Sequence, residues 1–280
     1  MLEAIISSIG YAGGVVIDKI VLSYYLVPVR RFIPWLFIWL AIITGFAAII
    51  FRSRLNLDQL LGTENLILFA LMIVVAFTWN IFYYEGIQRE SVHEFELVML
   101  FSPLATIILA ELFLPTERSL MSFIVGIIAS LALLVAKFER HHFKISNYWK
   151  QLFLATFLIA FESIIIKKLL LVYDPTFLYL FRTIILAVAF LIAYRPKLLQ
   201  LSKKAFILTI ISAFFGVLQM VLKFYGFINI GVVETTMFLI LGPILVYLLS
   251  AAIFKEKIKL RAAISSLIVV GCIVYISFFE

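Results

Sequence analysis

Charged residues are scarce in this 280-residue chain: Asp, Glu, Lys and Arg make up 14% of it. Soluble domains have about a quarter. Hydrophobic residues reach 65% and the mean hydropathy is +1.16. The composition excludes an ordinary soluble domain and predicts an integral membrane protein surrounded by a lipid bilayer. Because apolar segments continue along the whole chain, the apolar start at Leu2 is predicted to be the first span, not a cleaved signal peptide.

Cysteine and histidine are also rare, which excludes several kinds of chemistry. The single cysteine, Cys272, cannot form an internal disulfide, and His93, His141 and His142 lack the spacing of a metal site. We therefore predict neither a metal nor a cofactor. An intramembrane enzyme would need a nucleophile with its base, paired aspartates or a metal cluster, and Asp18 has no aspartate partner in an apolar segment. The sequence thus predicts a protein that is not an enzyme.

Ten apolar segments are long enough to cross a bilayer, which takes about 20 residues. They lie at about 3–26, 33–51, 65–84, 92–114, 119–137, 149–172, 176–194, 205–228, 231–253 and 260–278. Short breaks, most of them charged, separate these segments and leave no room for a soluble domain. The predicted fold class is an all-α membrane protein with ten transmembrane helices.

The second half of the sequence repeats features of the first at an offset of 140 residues. Three of these matched positions are not explained by chance matches between apolar segments, because Gly86, Glu94 and Pro103 recur as Gly226, Glu234 and Pro243. We therefore predict two repeats, 1–140 and 141–280, with five helices each. Because each repeat crosses the membrane an odd number of times, the two would be inverted relative to each other. Inverted repeats are a usual construction of secondary transporters.

The basic residues of the loops predict the orientation in the membrane. Most of those outside the spans fall on one side, and only Arg52, Arg54 and Arg118 fall on the side that holds both termini. The charge rule therefore places both termini outside the cytoplasm. The net charge of +7 follows from this asymmetric anchoring, so no nucleic-acid partner is predicted.

Short motifs occur at corresponding places in the two halves: Lys19 and Lys168, Tyr84-Glu85-Gly86 and Tyr225-Gly226, and Pro103 and Pro243. These motifs resemble the drug/metabolite transporter superfamily, and in particular its ten-helix EamA-like branch. Members have a five-helix unit used twice, with a lysine late in the first helix, an aromatic–small step closing the third, and a proline in the fourth with a Glu after it. The matching residues are Lys19 and Lys168, Tyr84-Glu85-Gly86 and Tyr225-Gly226, Pro103 and Pro243, and Glu256, with Glu117 displaced by one position in the first half.

The resemblance implies gradient-driven movement or exchange of small metabolites, often export of amino acids or related compounds. It also implies termini in the cytosol, in contrast to the loop charges. It does not identify the transported compound.

Ionisable side chains inside the spans are the candidates for function, because each costs at least ~2.5–3.5 kcal/mol at bilayer depth. In the first span Tyr11, Gly14 and Asp18 share a face, with Lys19 beside it, and this stripe is predicted to line a cavity. The alternative is that Asp18 and Lys19 snorkel to the end of the span. Gly10 and Gly14 form a GxxxG pattern typical of close helix packing.

The sixth span carries Glu162, Lys167 and Lys168. Alignment of the repeats matches Asp18 with Lys167, and opposite charges at matched positions predict a polarised cavity suited to a substrate with both an amine and a carboxylate. The alternative is that Glu162 and a neighbouring lysine neutralise each other as a structural pair.

The third and eighth spans add further candidate substrate-binding residues: Trp79, Asn80 and Tyr83 in one, Gln219 and Lys223 in the other. Aromatic faces attract ammonium groups, and an amide beside a lysine suits carboxylate or phosphate. The aromatic residues could instead belong to the interfacial belt. Arg182 in the seventh span is predicted to contact an anionic group.

Glu94 and Glu234 open the fourth and ninth spans at equivalent positions, where carboxylates could gate the pathway or carry protons. Their alternative role is charge stabilisation of a helix N-terminus. Pro103 and Pro243 each remove a backbone hydrogen bond in mid-span and are predicted as hinges.

The sequence as a whole predicts an alternating-access transporter of a small polar or zwitterionic metabolite, an exporter in a prokaryotic plasma membrane. Its cavity would be lined by the first, third, fourth, sixth, eighth and ninth spans. Coupling would use a proton or a counter-substrate, and the protein would be a monomer or a homodimer. One alternative is an exchanger of phosphorylated or nucleotide-linked metabolites, which requires Lys19, Lys168, Arg182 and Lys223 to converge without balancing carboxylates. Another is a flippase for lipid-linked compounds.

Overall fold

The structure, a computed structural model, describes residues 1–51, 62–117, 119–137, 147–195, 201–254 and 260–279. This part of the chain is helical and contains no strand. Its helices are α1 (Leu2–Lys19), α2 (Val29–Ile50), α3 (Thr63–Arg89), α4 (Val92–Met99), α5 (Phe101–Phe113), α6 (Leu120–Lys137), α7 (Asn147–Leu169), α8 (Pro175–Tyr194), α9 (Lys203–Asn229), α10 (Val232–Leu239), α11 (Leu241–Phe254) and α12 (Leu260–Phe279). A π-helical turn, Ile20–Tyr24, extends α1.

Within the described residues, seven helical segments are long and apolar enough to cross a membrane. They are Leu2–Tyr24, Val29–Ile50, Thr63–Arg89, Glu94–Phe113, Pro175–Tyr194, Lys203–Asn229 and Val232–Ile253. The protein is therefore an integral, multi-pass membrane protein, and the all-helical fold class is confirmed. The other three predicted spans fall on α6, α7 and α12, so ten crossings stay a prediction.

Capping residues fix where several helices begin. Asp174 Oδ1 accepts hydrogen bonds from the backbone N–H of Thr176 (3.0 Å) and Phe177 (3.2 Å), and Pro175 occupies the first position of α8. Ser91 and Ser202 cap α4 and α9 in the same way. Such caps satisfy amides that have no partner inside the helix.

The fourth and ninth predicted spans are each divided into two helices. The interruptions fall at Leu100 and Ile240, three residues before Pro103 and Pro243. A proline has no N–H for the carbonyl four residues earlier, and that carbonyl belongs to the last residue of α4 or α10. The two prolines therefore explain why both spans break at equivalent places.

Helices in the two halves of the chain have matching bounds. The ends of α3 and α4, at residues 63, 89, 92 and 99, lie 140 positions before the ends of α9 and α10, at 203, 229, 232 and 239. The lengths agree too, with 27 residues in α3 and α9 and eight in α4 and α10.

The two halves are interleaved in the packed bundle. The largest interhelical contacts pair α1 with α9, α3 with α7, and α2 with α8, each combining a helix from residues 1–140 with one from residues 141–280. The halves therefore do not pack as two separate bodies.

Gly10 permits the closest approach between α1 and α9. A Cβ atom placed there would lie 2.8 Å from the backbone nitrogen of Gln219 and 3.0 Å from the carbonyl oxygen of Phe215. Backbone atoms cannot rotate away, so this contact requires glycine. The packing role predicted for Gly10 agrees with this geometry, whereas a Cβ at Gly14 would meet only an ordinary contact at 3.9 Å.

Gly10→Ala is expected to destabilise the protein by about 1–3 kcal/mol, the usual cost of overpacking a close contact. The thermal midpoint of the detergent-purified variant measures this. Gly271→Ala is the matched control, since no atom lies within 4 Å of a Cβ built at Gly271. Equal midpoints for the two variants would contradict the prediction.

Candidate functional site

A cavity of about 150 Å³ lies inside the bundle. Its described wall comes from α1, α2, α3, α7, α8 and α9, and from both broken spans, α4–α5 and α10–α11. The predicted set of lining helices lacked α2 and α8, so it was incomplete. Leu36, Phe37 and Leu40 of α2 add an apolar side, and α8 contributes Tyr179 and Arg182.

Nine of the eleven predicted substrate-binding residues line this cavity. They are Tyr11, Asp18, Trp79, Asn80, Tyr83, Glu162, Arg182, Gln219 and Lys223. Pro103 and Pro243 line it as well, so the prolines that interrupt the two spans border the cavity. The common reason is the cost of placing ionisable groups against lipid, which turns them toward the interior of the bundle.

Asp18 places a buried carboxyl group at the cavity wall. Its side chain is 5% exposed, and its Oδ1 atom accepts a hydrogen bond from the Ser212 hydroxyl of α9. Among the described residues, no lysine or arginine nitrogen lies within 4.0 Å of its carboxylate. The cavity is therefore the place from which a cation could reach Asp18.

Arg182 is held by two groups from other helices. Its Nε donates to Glu162 Oε1 over 2.7 Å, and Glu162 Oε2 accepts from Trp79 Nε1 over 2.6 Å. The guanidinium carbon lies 5.8 Å from the centre of a Trp79 ring and 5.9 Å from that of Tyr179. These contacts fix the plane of a side chain that is 2% exposed.

One nitrogen of this guanidinium stays unused. Arg182 Nη2 is buried and has no hydrogen-bond partner among the described residues. Unpaired buried donors are costly, so a site of this kind is suited to an acceptor supplied from the cavity. Thr236 Oγ1, also on the cavity wall, is likewise without a partner there.

Lys223 is the second cation of the cavity. Its Nζ donates to Ser163 Oγ over 3.1 Å and lies 5.2 Å from the centre of the Phe227 ring. No carboxylate of the described residues lies within 4.0 Å of this ammonium. The alternative in which Glu162 pairs with a neighbouring lysine is wrong, because the ion-pair partner of Glu162 is Arg182.

Several lining residues escaped the sequence reasoning. Ser102, Thr106, Tyr179 and Ser212 are small hydroxyl or aromatic side chains that occur throughout apolar spans and carry no charge to mark them. Glu96, an in-span carboxylate, lies behind the wall and accepts a hydrogen bond from Tyr11 OH over 3.0 Å. Ser212 could have been found only through its contact with Asp18.

Lys19 and Lys168 do not line the described cavity. Lys168 is exposed, and Lys19 Nζ donates to the carbonyls of Ile87 (2.7 Å) and Glu90 (2.6 Å) at the end of α3. Lys19 directly follows Asp18, which does line the cavity, so Lys19 leaves α1 on a different face of the helix.

The matching of Asp18 with Lys167 is shifted by one residue. Lys167 Nζ donates to the carbonyl of Phe227, and Lys19 Nζ donates to that of Ile87, 140 positions earlier. Lys19 and Lys167 therefore make equivalent contacts, and Asp18 has no charged counterpart in the second half. Asp18 does line the cavity, but the positive charges there belong to Arg182 and Lys223 and not to Lys167.

Glu94 and Glu234 lie outside the cavity lining. Glu94 forms a capping box at the start of α4, where its Oε2 accepts from Ser91 Oγ over 2.8 Å and its own N–H donates to that hydroxyl. Glu234 lies in the first turn of α10. Helix capping, the alternative role, fits the geometry of Glu94.

Some predicted features fall on residues outside the described part of the chain: Arg52, Arg54, Arg118, His141, His142 and Glu256.

Comparisons with known proteins agree with this picture. No curated protein matches the sequence, whereas 28 chains of solved structures match. One of these, described as the crystal structure of a protein, has a TM-score of 0.69 at 14% identity, and the likeness covers 96% of either chain. That likeness shows a shared fold.

The model of the EamA-like transporter family matches residues 150–278. This region supplies Glu162, Arg182 and Lys223 of the cavity. The match bears out the resemblance to the drug/metabolite transporter superfamily over residues 150–278.

Proposed function

We propose that this membrane transporter is a secondary active carrier of small polar or zwitterionic metabolites, amino acids or related compounds. It would work as an exporter in a prokaryotic plasma membrane, with no catalytic step. The family match supports transport. The substrate class is argued below from the cavity.

The observation that carries the proposal is the presence of both charge signs on one small cavity. Asp18 and Glu162 are its carboxylates, and Arg182 and Lys223 its cations. Glu162 is already paired with Arg182, which leaves Asp18 open to an ammonium and the remaining donors of Arg182 and Lys223 open to a carboxylate. A zwitterion complements both groups at once.

The same observation disfavours the exchanger of phosphorylated metabolites. That alternative requires four cations to converge without carboxylates, but Lys19 and Lys168 lie elsewhere and two carboxylates share the wall. No contact in the cavity favours a lipid-linked substrate.

Alternating access would use the two broken spans as hinges. Pro103 and Pro243 lie just beyond the interruptions at Leu100 and Ile240, and both prolines border the cavity. Since the main helix pairs join residues 1–140 to residues 141–280, the moving bodies would each combine helices from both halves of the chain, which we propose to be inverted five-helix repeats. Glu94 and Glu234, outside the cavity, would influence such motion through the ends of α4 and α10.

Thermal stabilisation of the purified protein by a ligand panel tests the substrate class. A ligand at 100 times its Kd adds about 2.7 kcal/mol to stability, so binding should raise the midpoint clearly. We expect amino acids to stabilise the protein more than simple amines do, and phosphate esters and sugars to have little effect. Uptake of the best ligand into proteoliposomes under an imposed gradient then tests transport. Stabilisation by phosphate esters alone would overturn the proposal.

A further inference from the structure

An ion pair joins the two halves of the chain near one end of the bundle. Glu117 Oε1, just after α5, lies 2.6 Å from Lys167 Nζ near the end of α7. Both side chains are largely buried, with exposed fractions of 11% for Glu117 and 16% for Lys167. Neither residue lines the cavity.

The pair is tied to the link between α9 and α10. Glu117 Oε2 accepts a hydrogen bond from the backbone N–H of Val232 over 2.6 Å, and Lys167 Nζ donates to the carbonyl of Phe227. Glu117 thus neutralises the N-terminus of α10 while Lys167 binds a carbonyl near the end of α9. One carboxylate and one ammonium thereby join four chain segments.

Gly231 makes room for this arrangement. Its φ angle is +88°, a conformation that favours glycine, and a Cβ atom there would lie 3.2 Å from Glu117 Cδ. The carboxylate can therefore reach the first amides of α10.

The equivalent lysine of the first half makes no such connection. Lys19 binds the carbonyls of Ile87 and Glu90, both in its own half. Among the described residues, no carboxylate of the second half lies within 4.0 Å of Lys19 Nζ. The contact between lysine and carbonyl is thus common to both halves, whereas the cross-half ion pair is found here at Lys167 alone.

We propose that Glu117 and Lys167 form an ionic latch that closes one end of the cavity and opens during each transport cycle. This inference rests on the proposed transport function. The latch acts on α10, whose Thr236 lies one helical turn beyond Val232 and borders the cavity. Release of Glu117 frees the first turn of α10, and the break at Ile240 lets that turn move.

Labelling of a single thiol tests the latch without any substrate. In a Cys272→Ser background, Thr236→Cys places a thiol on the cavity wall just inside the latch. Adding Glu117→Gln should raise its reaction rate with a membrane-impermeant maleimide at least about tenfold, because the latched end opens more often. Lys167→Met should raise the labelling rate to the same extent. The double variant should react no faster than either single variant, because the two residues act as one unit.

Glu3→Gln is the matched control. Glu3 also accepts a hydrogen bond from the end of α9, from Asn229 Nδ2 over 3.1 Å, but within the described residues it forms no hydrogen bond or ion pair with Lys167 or α10. The control should leave the labelling rate unchanged. A rate for Glu117→Gln equal to that of Glu3→Gln would overturn the latch.

A covalent link separates a moving latch from a permanent structural pair. Glu117→Cys with Lys167→Cys, joined by a short bis-maleimide, should stop proteoliposome uptake of the amino acid that stabilises the wild-type protein best. Full uptake by the linked protein would show that the contact never opens, and would overturn the proposal. If the wild-type protein transports none of the panel, the proposed function fails, while the labelling rates still decide the latch.

Discussion

Arg182→Lys is expected to weaken amino-acid binding by about 10–100-fold while the protein stays folded. A hydrogen bond between charged groups contributes about 1.5–3 kcal/mol, and each 1.4 kcal/mol is a factor of ten in Kd. Lysine keeps the positive charge beside Glu162 but has no planar fork, so it cannot bond Glu162 and present a second nitrogen to the cavity in one fixed plane.

The geometry of Arg182 explains why charge alone would not suffice. Glu162 accepts a hydrogen bond from Arg182 Nε over 2.7 Å and is itself fixed by a 2.6 Å hydrogen bond from Trp79 Nε1. Arg182 Nη2 is left without a hydrogen-bond partner among the described residues. We therefore assign Glu162 a positioning role, although the sequence predicted that it binds substrate. Arg182→Ala is a poorer test, because loss of one partner of a buried pair costs about 3–5 kcal/mol and could unfold the protein.

Isothermal titration with the best ligand of the panel measures the effect. Arg89→Lys is the matched control, since Arg89 contacts Tyr148 outside the cavity. An amine that lacks the carboxylate should bind Arg182→Lys and wild type alike. Unchanged amino-acid affinity in Arg182→Lys would remove this residue from the site.

Much of the cavity could be predicted because the membrane restricts where charge can lie. Asp18, Arg182 and Lys223 stood out as ionisable groups in apolar spans, and burial inside the bundle is the usual way to keep them from lipid. The broken spans were foreseeable too, since a mid-span proline removes a hydrogen bond wherever it occurs.

Pairings between distant helices could not be predicted in the same way. Glu162 could have taken the nearby Lys167, but α8 brings Arg182 to it, 20 positions along the chain. Lys167 instead meets Glu117 from the other half. Such choices depend on helix rotation and depth, which hydropathy does not encode.

The alignment of the repeats failed by one residue for a related reason. Lys167 and Lys168 are adjacent, so either could be matched with Lys19, and the surrounding apolar residues do not decide between them. The contacts decide, because Lys19 and Lys167 bind the carbonyls of Ile87 and Phe227, which are equivalent at the offset of 140.

Asp18→Asn is expected to lower amino-acid affinity by about 10–100-fold, because the variant loses the charged contact to the ammonium group of the ligand. The Ser212 hydroxyl donates a hydrogen bond to this buried carboxyl group, and no lysine or arginine nitrogen of the described residues lies within 4.0 Å of it. Asparagine has nearly the same shape and can still accept from the Ser212 hydroxyl, so the variant removes charge with little change in packing.

Two ligands, each with a single charge, make this test specific. A carboxylic acid that lacks the amine should bind Asp18→Asn and wild type with equal affinity. The amine that lacks the carboxylate should bind Asp18→Asn more weakly than wild type. Arg182→Lys should show the reverse, because its lost contact serves the carboxylate. Asp174→Asn is the matched control, since Asp174 caps α8 outside the cavity and asparagine caps helices equally well. If both single-charge ligands lost affinity equally in Asp18→Asn, the carboxylate would support the shape of the cavity and would not bind the ammonium group.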